Sequence, residues 1–148
     1  MQKSLLILLL VTPILLLSCK NDSNTITFHK SHEPKRQQVP FSDAVETKDF
    51  LFLAGQIGKN HKTGKLVEGG IKAETKQVIE NINAVLEHHS LTLDNVVKCT
   101  VILSNIEDFK AFNEVYTTYF TKKPARTTFA AGGLAANATI EIEVIAAK

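Results

Sequence analysis

The chain has 148 residues, 17 basic against 15 acidic, a formal net charge of +2 and 44% apolar side chains. This near balance, with no basic stripe interleaved with aromatics, argues against nucleic acid as a partner. The length suits one domain with a modest core once an N-terminal leader is set apart.

That leader is expected at residues 1–18. Lys3 gives a short positive start, and residues 5–17 form an apolar run broken only by Thr12 and Pro13. The run is shorter than the ~20 residues of a membrane-spanning helix and fits an export signal. Leu16-Leu17-Ser18-Cys19 then resembles the lipobox of bacterial lipoproteins. The resemblance implies a diacylated Cys19 as the mature N-terminus, with residues 19–24 as a lipidated tether and 25–148 as the domain. The protein is thus expected in the cell envelope, as a periplasmic or outer-membrane lipoprotein. The simpler alternative is an ordinary secretory signal with an incidental cysteine. Cys99 is then left without a disulfide partner. It lies in an apolar run with no histidine beside it, so it reads as a small buried residue rather than a nucleophile.

In chain order, residues 25–29 form a weak first strand and residues 33–38, charged and containing Pro34, a loop. Strands are expected at 42–46 and 49–54, joined across Thr47-Lys48. The unbroken Phe50-Leu51-Phe52-Leu53 suggests burial on both faces. Residues 60–64 carry turn chemistry. A helix over 71–89 follows from Ile71, Thr75, Val78, Ile79, Ile82, Val85 and Leu86 at spacings of three and four. Residues 96–103 read as a buried strand. Ser104 or Asn105 is placed to cap a second helix from Ile106 to about Thr121, with Phe109, Phe112, Val115, Tyr116 and Phe120 on one side. Final strands are expected at 127–131 and 139–146. This order predicts an α+β fold, a mixed sheet with both helices on one face. The other face stays apolar, and association of copies is the simplest way to cover it.

The sequence lacks G-x-S-x-G, H-E-x-x-H, a P-loop and a dinucleotide fingerprint. Its histidines, at 29, 32, 61, 88 and 89, show no cysteine or carboxylate at ligand spacing, so no metal site is expected. Gly69-Gly70 and Gly132-Gly133 suit turns.

Several segments carry a resemblance. They are residues 40–45 (PFSDAV), 54–58 (AGQIG), 62–64 (KTG), 69–75 (GGIKAET), 97–101 (VKCTV), Asp108-Phe109, 113–116 (NEVY), Phe120, 124–128 (PARTT) and 140–143 (IEIE). Over 25–148 the chain resembles the RidA (YjgF) family of enamine/imine deaminases. The resemblance implies a chorismate-mutase-like subunit, a homotrimer, and ligand clefts between subunits. It implies hydrolysis of small 2-imino or enamine acids to 2-keto acids and ammonia, with neither metal nor organic cofactor. By the same resemblance Arg126 binds the substrate carboxylate, Glu141 stands near the hydrolytic water, and Phe41, Thr128, Asn113 and Gly55 complete the substrate site. A planar guanidinium suits a carboxylate, and one carboxylate with an ordered water suits imine hydrolysis. Phe41 stands where family members usually carry a tyrosine, and Thr128 where some carry a cysteine. The rival reading is a non-catalytic trimeric binding module for small carboxylates. For Arg126 the bland alternative is a surface salt bridge. For the strand glutamates it is that one of Glu141 and Glu143 merely faces solvent.

Overall fold

The computed structural model describes residues 25–148. The leader, Cys19 and the tether lie outside them. Nine strands and two α-helices follow in the order β1 (Thr27–His29), β2 (Ala44–Glu46), β3 (Phe50–Leu53), β4 (Gln56–Ile57), β5 (Lys59–Asn60), β6 (Lys65–Leu66), α1 (Gly70–His88), β7 (Val96–Leu103), α2 (Phe109–Tyr119), β8 (Ala125–Ala130) and β9 (Ile140–Ala147). The main sheet runs β1-β2-β3-β9-β7-β8, with β4 also on β9; β5 and β6 form a separate hairpin. Only β7 and β8 pair in parallel, across α2. Such a pair needs a crossover connection, and α2 supplies it. The mixed α+β fold expected from the sequence is the one observed.

Helix α1 follows its apolar period: Val78, Ile79, Ile82, Val85 and Leu86 are buried. They meet Val101, Leu103, Ile140, Ile142 and Val144 from the sheet in one core. Each such side chain contributes about 1.5–3 kcal/mol on burial. Gly69 and Gly70 open the helix with φ of 113° and 66°. A side chain there would be strained, which accounts for the glycine pair at this start. Gly58 lets α1 approach the sheet closely, since a Cβ on it would stand 2.8 Å from the Cα of Glu74. The carboxylate of Glu74, itself buried, accepts the backbone N–H of Thr139 just before β9.

Three expectations need correction. Residues 50–53 are not buried on both faces: Leu51 and Leu53 enter the core, while Phe50 and Phe52 remain 41% and 40% exposed. The second helix begins as a 3-10 turn over Ile106–Asp108, with Asn105 Oδ1 accepting the Glu107 N–H, and is α-helical only from Phe109. The penultimate strand starts two residues earlier and ends one earlier than expected, so that Arg126 lies inside β8 rather than before it, and the last strand is shifted one residue later. Short β4 and the β5–β6 hairpin were too brief to register as a period.

Alternation leaves one sheet face uncovered. Phe28, Val45, Phe52 and Ile145 lie in register across β1, β2, β3 and β9. Phe28 is 70% exposed, and Phe129 on β8 is exposed as well. This is the apolar face foreseen from the strand pattern.

Candidate active site

Arg126 is held by α2. Its Nη1 donates to Asn113 Oδ1 at 2.8 Å, and its guanidinium carbon lies 4.6 Å from the centre of the Tyr116 ring, 5.2 Å from Phe112 and 5.6 Å from Phe109. Three aromatic neighbours orient a planar cation while leaving donors free. No carboxylate lies within ion-pair distance of it among the described residues, which removes the surface salt-bridge alternative. The period of α2 explains the arrangement: Phe109, Phe112, Asn113 and Tyr116 recur at three and four, so they present one face. Lys123, at φ 53°, bends the chain into Pro124 and so into β8.

Beneath this shelf the Tyr116 hydroxyl donates to Cys99 Sγ at 3.3 Å. Burial pushes both groups upward in pKa, against the nearby Arg126 charge. Cys99 is therefore a protonated, packed thiol, as its sequence context suggested. Arg126 opens onto a cleft of about 390 Å³ lined also by Asn113, Tyr116, Thr117, Lys123 and Pro124. Thr128 lies two residues further along β8, and its hydroxyl is buried without a hydrogen-bond partner.

Glu141 belongs to a second cleft, of about 370 Å³, together with Phe41, Gly55, Gln56, Arg36 and His61. Its carboxylate fills the space a side chain at position 55 would need: a Cβ on Gly55 would overlap Oε1 of Glu141. Glycine there is thus a requirement of close approach. Glu143 points to the same sheet face but is exposed, so of the two glutamates only Glu141 is built into a pocket. Phe41 is half exposed at the rim.

The sequence did not single out the cations of this cleft. Lys35, Arg36 and Lys59 line it. Arg36 Nη2 stands 2.9 Å from Asp43 Oδ1, a nearly buried ion pair. Apart from this ion-pair contact, Arg36 Nη1 and both Asp43 oxygens are buried without a hydrogen-bond partner. The Lys35-Arg36 pair after Pro34 was the visible signal, and it read only as a charged loop.

Five of the six expected site residues therefore fall into two groups. Arg126 and Asn113 share one cleft; Phe41, Gly55 and Glu141 share the other. Thr128 lies on the Arg126 strand and lines neither. Register gives the reason. Arg126 is opposite Cys99, which faces the helices, whereas Glu141 is opposite Ile102, which faces away. Paired residues in a ladder share a face, so the arginine and the glutamate of one chain project to opposite sides of the sheet.

Residues 31–148 match the family described as Endoribonuclease L-PSP. The chain belongs to this family, which includes the RidA (YjgF) proteins. A RutC family protein of Aquifex aeolicus is 46% identical over 112 residues, covering 74% of this chain and 89% of that one. The human protein named 2-iminobutanoate/2-iminopropanoate deaminase is 39% identical over 108 residues, covering 72% and 79%. Among solved structures, RidA from an Antarctic Psychrobacter superimposes with a TM-score of 0.72 at 34% identity, over 75% of this chain and 90% of that one. The solved relative shares the overall fold described above.

Proposed function

We propose that the protein hydrolyses small 2-imino or enamine acids to 2-keto acids and ammonia, at clefts completed by neighbouring copies in a homotrimer. The observation that carries this reading is Arg126: a guanidinium with no carboxylate partner among the described residues, fixed on an aromatic shelf and open to a cleft. Such a group is ready to receive a substrate carboxylate. Deaminase-named relatives support the reaction class.

In this reading Arg126 holds the carboxylate through charge-assisted bonds, and Asn113 fixes the guanidinium. Glu141 orders a water at the carbon of the protonated imine and takes its proton as the C–O bond forms, giving a neutral carbinolamine. The same carboxyl returns that proton to nitrogen and, as a carboxylate again, accepts the hydroxyl proton as the C–N bond breaks, releasing ammonia, leaving the 2-keto acid and passing the last proton to solvent. One chain separates Arg126 from Glu141 by a sheet, so the two act on one substrate only if different copies supply them. The exposed Phe28, Phe50, Phe52 and Phe129 supply an apolar surface for that association.

The assay generates 2-iminobutanoate in situ with an amino-acid oxidase and traps it with semicarbazide. The protein should suppress trapping in proportion to its concentration. Arg126→Ala should lose kcat/KM by roughly 10- to 150-fold, the worth of a charge-assisted bond of ~1.5–3 kcal/mol. Trapping that is indifferent to wild-type protein would remove the deaminase reading. Phe41 favours a second outcome, a carboxylate-binding module, because it brings a ring but no hydroxyl to the rim. That outcome would show as thermal stabilisation by a 2-keto acid without turnover, abolished in Arg126→Ala.

Envelope anchoring through Cys19 belongs to the same proposal and rests on Leu16-Leu17-Ser18-Cys19. Metabolic labelling with a fatty-acid analogue should mark the wild type and spare Cys19→Ser. Equal labelling of both would overturn the anchor.

A further inference from the structure

Four of the chain's five histidines meet at one place, away from both clefts. His29 on β1 and His32 just after it lie against His88 and His89, where α1 ends. The rings of His29 and His89 are edge to face, with centres 4.6 Å apart. His32 stacks on His88 at 4.8 Å, and His88 stands edge-on to His89 at 5.3 Å. Glu46 on β2 closes the group, with Oε2 2.8 Å from His29 Nε2. We propose that His29, His89 and Glu46 form a binding site for a divalent transition-metal ion, which ties the β1–β2 edge of the sheet to the C-terminus of α1.

One ligand atom from each of the three residues lies within 4.8 Å of the others. Tetrahedral sites with bonds of about 2.0–2.1 Å separate their ligand atoms by roughly 3.3–3.5 Å. Side-chain rotation of about an ångström brings them there. Two imidazoles and one carboxylate suit zinc, cobalt or nickel and do not suit the all-oxygen preference of magnesium or calcium. Three protein ligands leave a position for water. All three residues are half-buried, so the ion has access while most of its surroundings are fixed.

The neighbouring groups fit this assignment. Lys148 pairs with the other oxygen of Glu46, orienting the carboxylate and leaving Oε2 to the ion. His29 Nε2 and Glu46 Oε2 already face each other at 2.8 Å, and an ion between them would bind the imidazole in its Nδ1–H form. The stacked His32 and His88 rings brace His89 in the way outer groups orient metal-bound imidazoles.

Equilibrium dialysis of the untagged protein against zinc at neutral pH tests the site. One zinc per chain is expected. His29→Ala and His89→Ala should each weaken it beyond the ~10- to 100-fold typical of outer-shell changes. His61→Asn should bind as the wild type does. Absence of binding at millimolar zinc, or equal binding by both alanine variants and the wild type, would overturn the proposal. Should either variant fail to fold, nitrogen NMR of the wild type reads the site directly. Zinc should shift the ring nitrogens of His29 and His89; shifts confined to other histidines, or none, would equally overturn it.

Discussion

A methyl group at position 55 would stand 2.9 Å from Cδ of Glu141 and overlap its Oε1. Position 55 thus controls where the proposed proton handler sits. Gly55→Ala should leave thermal stability within about 1 kcal/mol, because the carboxylate swings toward the open cleft. It should lower kcat by tenfold or more while KM, governed by Arg126, changes little. A 1 Å displacement of a reacting group commonly costs on the order of 100-fold. Steady-state kinetics beside a melting curve separate the two effects, and an unchanged kcat would detach Glu141 from the chemistry. Arg126 shows the complementary design, in which position is set by a hydrogen bond from one side and by rings from the other.

At the scale of elements, the seating of α1 on the sheet depends on two small-scale matches. Gly58 admits the helix backbone at Glu74, and Glu74 ties the start of β9 through Thr139 N–H. Gly58→Ala forces a Cβ to within 2.6 Å of Glu74 Cβ and 2.8 Å of its Cα. Backbone cannot yield as a flexible side chain does, so the expected loss is about 1–3 kcal/mol. Calorimetry should record a Tm lower by roughly 5 °C. A melting temperature equal to the wild type's would mean that α1 can slide. The aromatic face of α2 has a double role, with Phe112 and Tyr116 filling the core while their rings form the shelf under Arg126.

For the whole molecule, the opposed faces of Arg126 and Glu141 make a sharp prediction. Arg126→Ala and Glu141→Gln should each be strongly impaired alone, and mixing them with subunit exchange should restore activity. In a random trimer of the two, roughly a quarter of clefts receive a sound arginine from one copy and a sound glutamate from the next. Recovery near that fraction, with a sedimentation mass of about three chains, is the expected result. No recovery after demonstrated exchange would mean that each chain works alone, and the apolar sheet face would need another occupant.

Much of the architecture was determined by the chain's local pattern. Residues 96–103 are the strand their apolar run announces, and α1 follows its three-and-four spacing to within a residue, because side-chain period and backbone period are the same fact. Family membership was legible in PARTT and IEIE, with Gly55 among the residues it marked. Tertiary structure decided the rest. Phe50-Leu51-Phe52-Leu53 reads as doubly buried, yet one face is open, since burial depends on what the fold lays against it. Lys35 and Arg36 enter the Glu141 cleft only when their loop folds over it. His29, Glu46 and His89 are 17 and 43 residues apart in sequence and come together because β1 pairs with β2 beside the end of α1. The sequence, through its family resemblance, put forward Arg126 and Glu141; only the register of β7 against β8 and β9 revealed that they face opposite ways, because facing depends on which residues pair across strands.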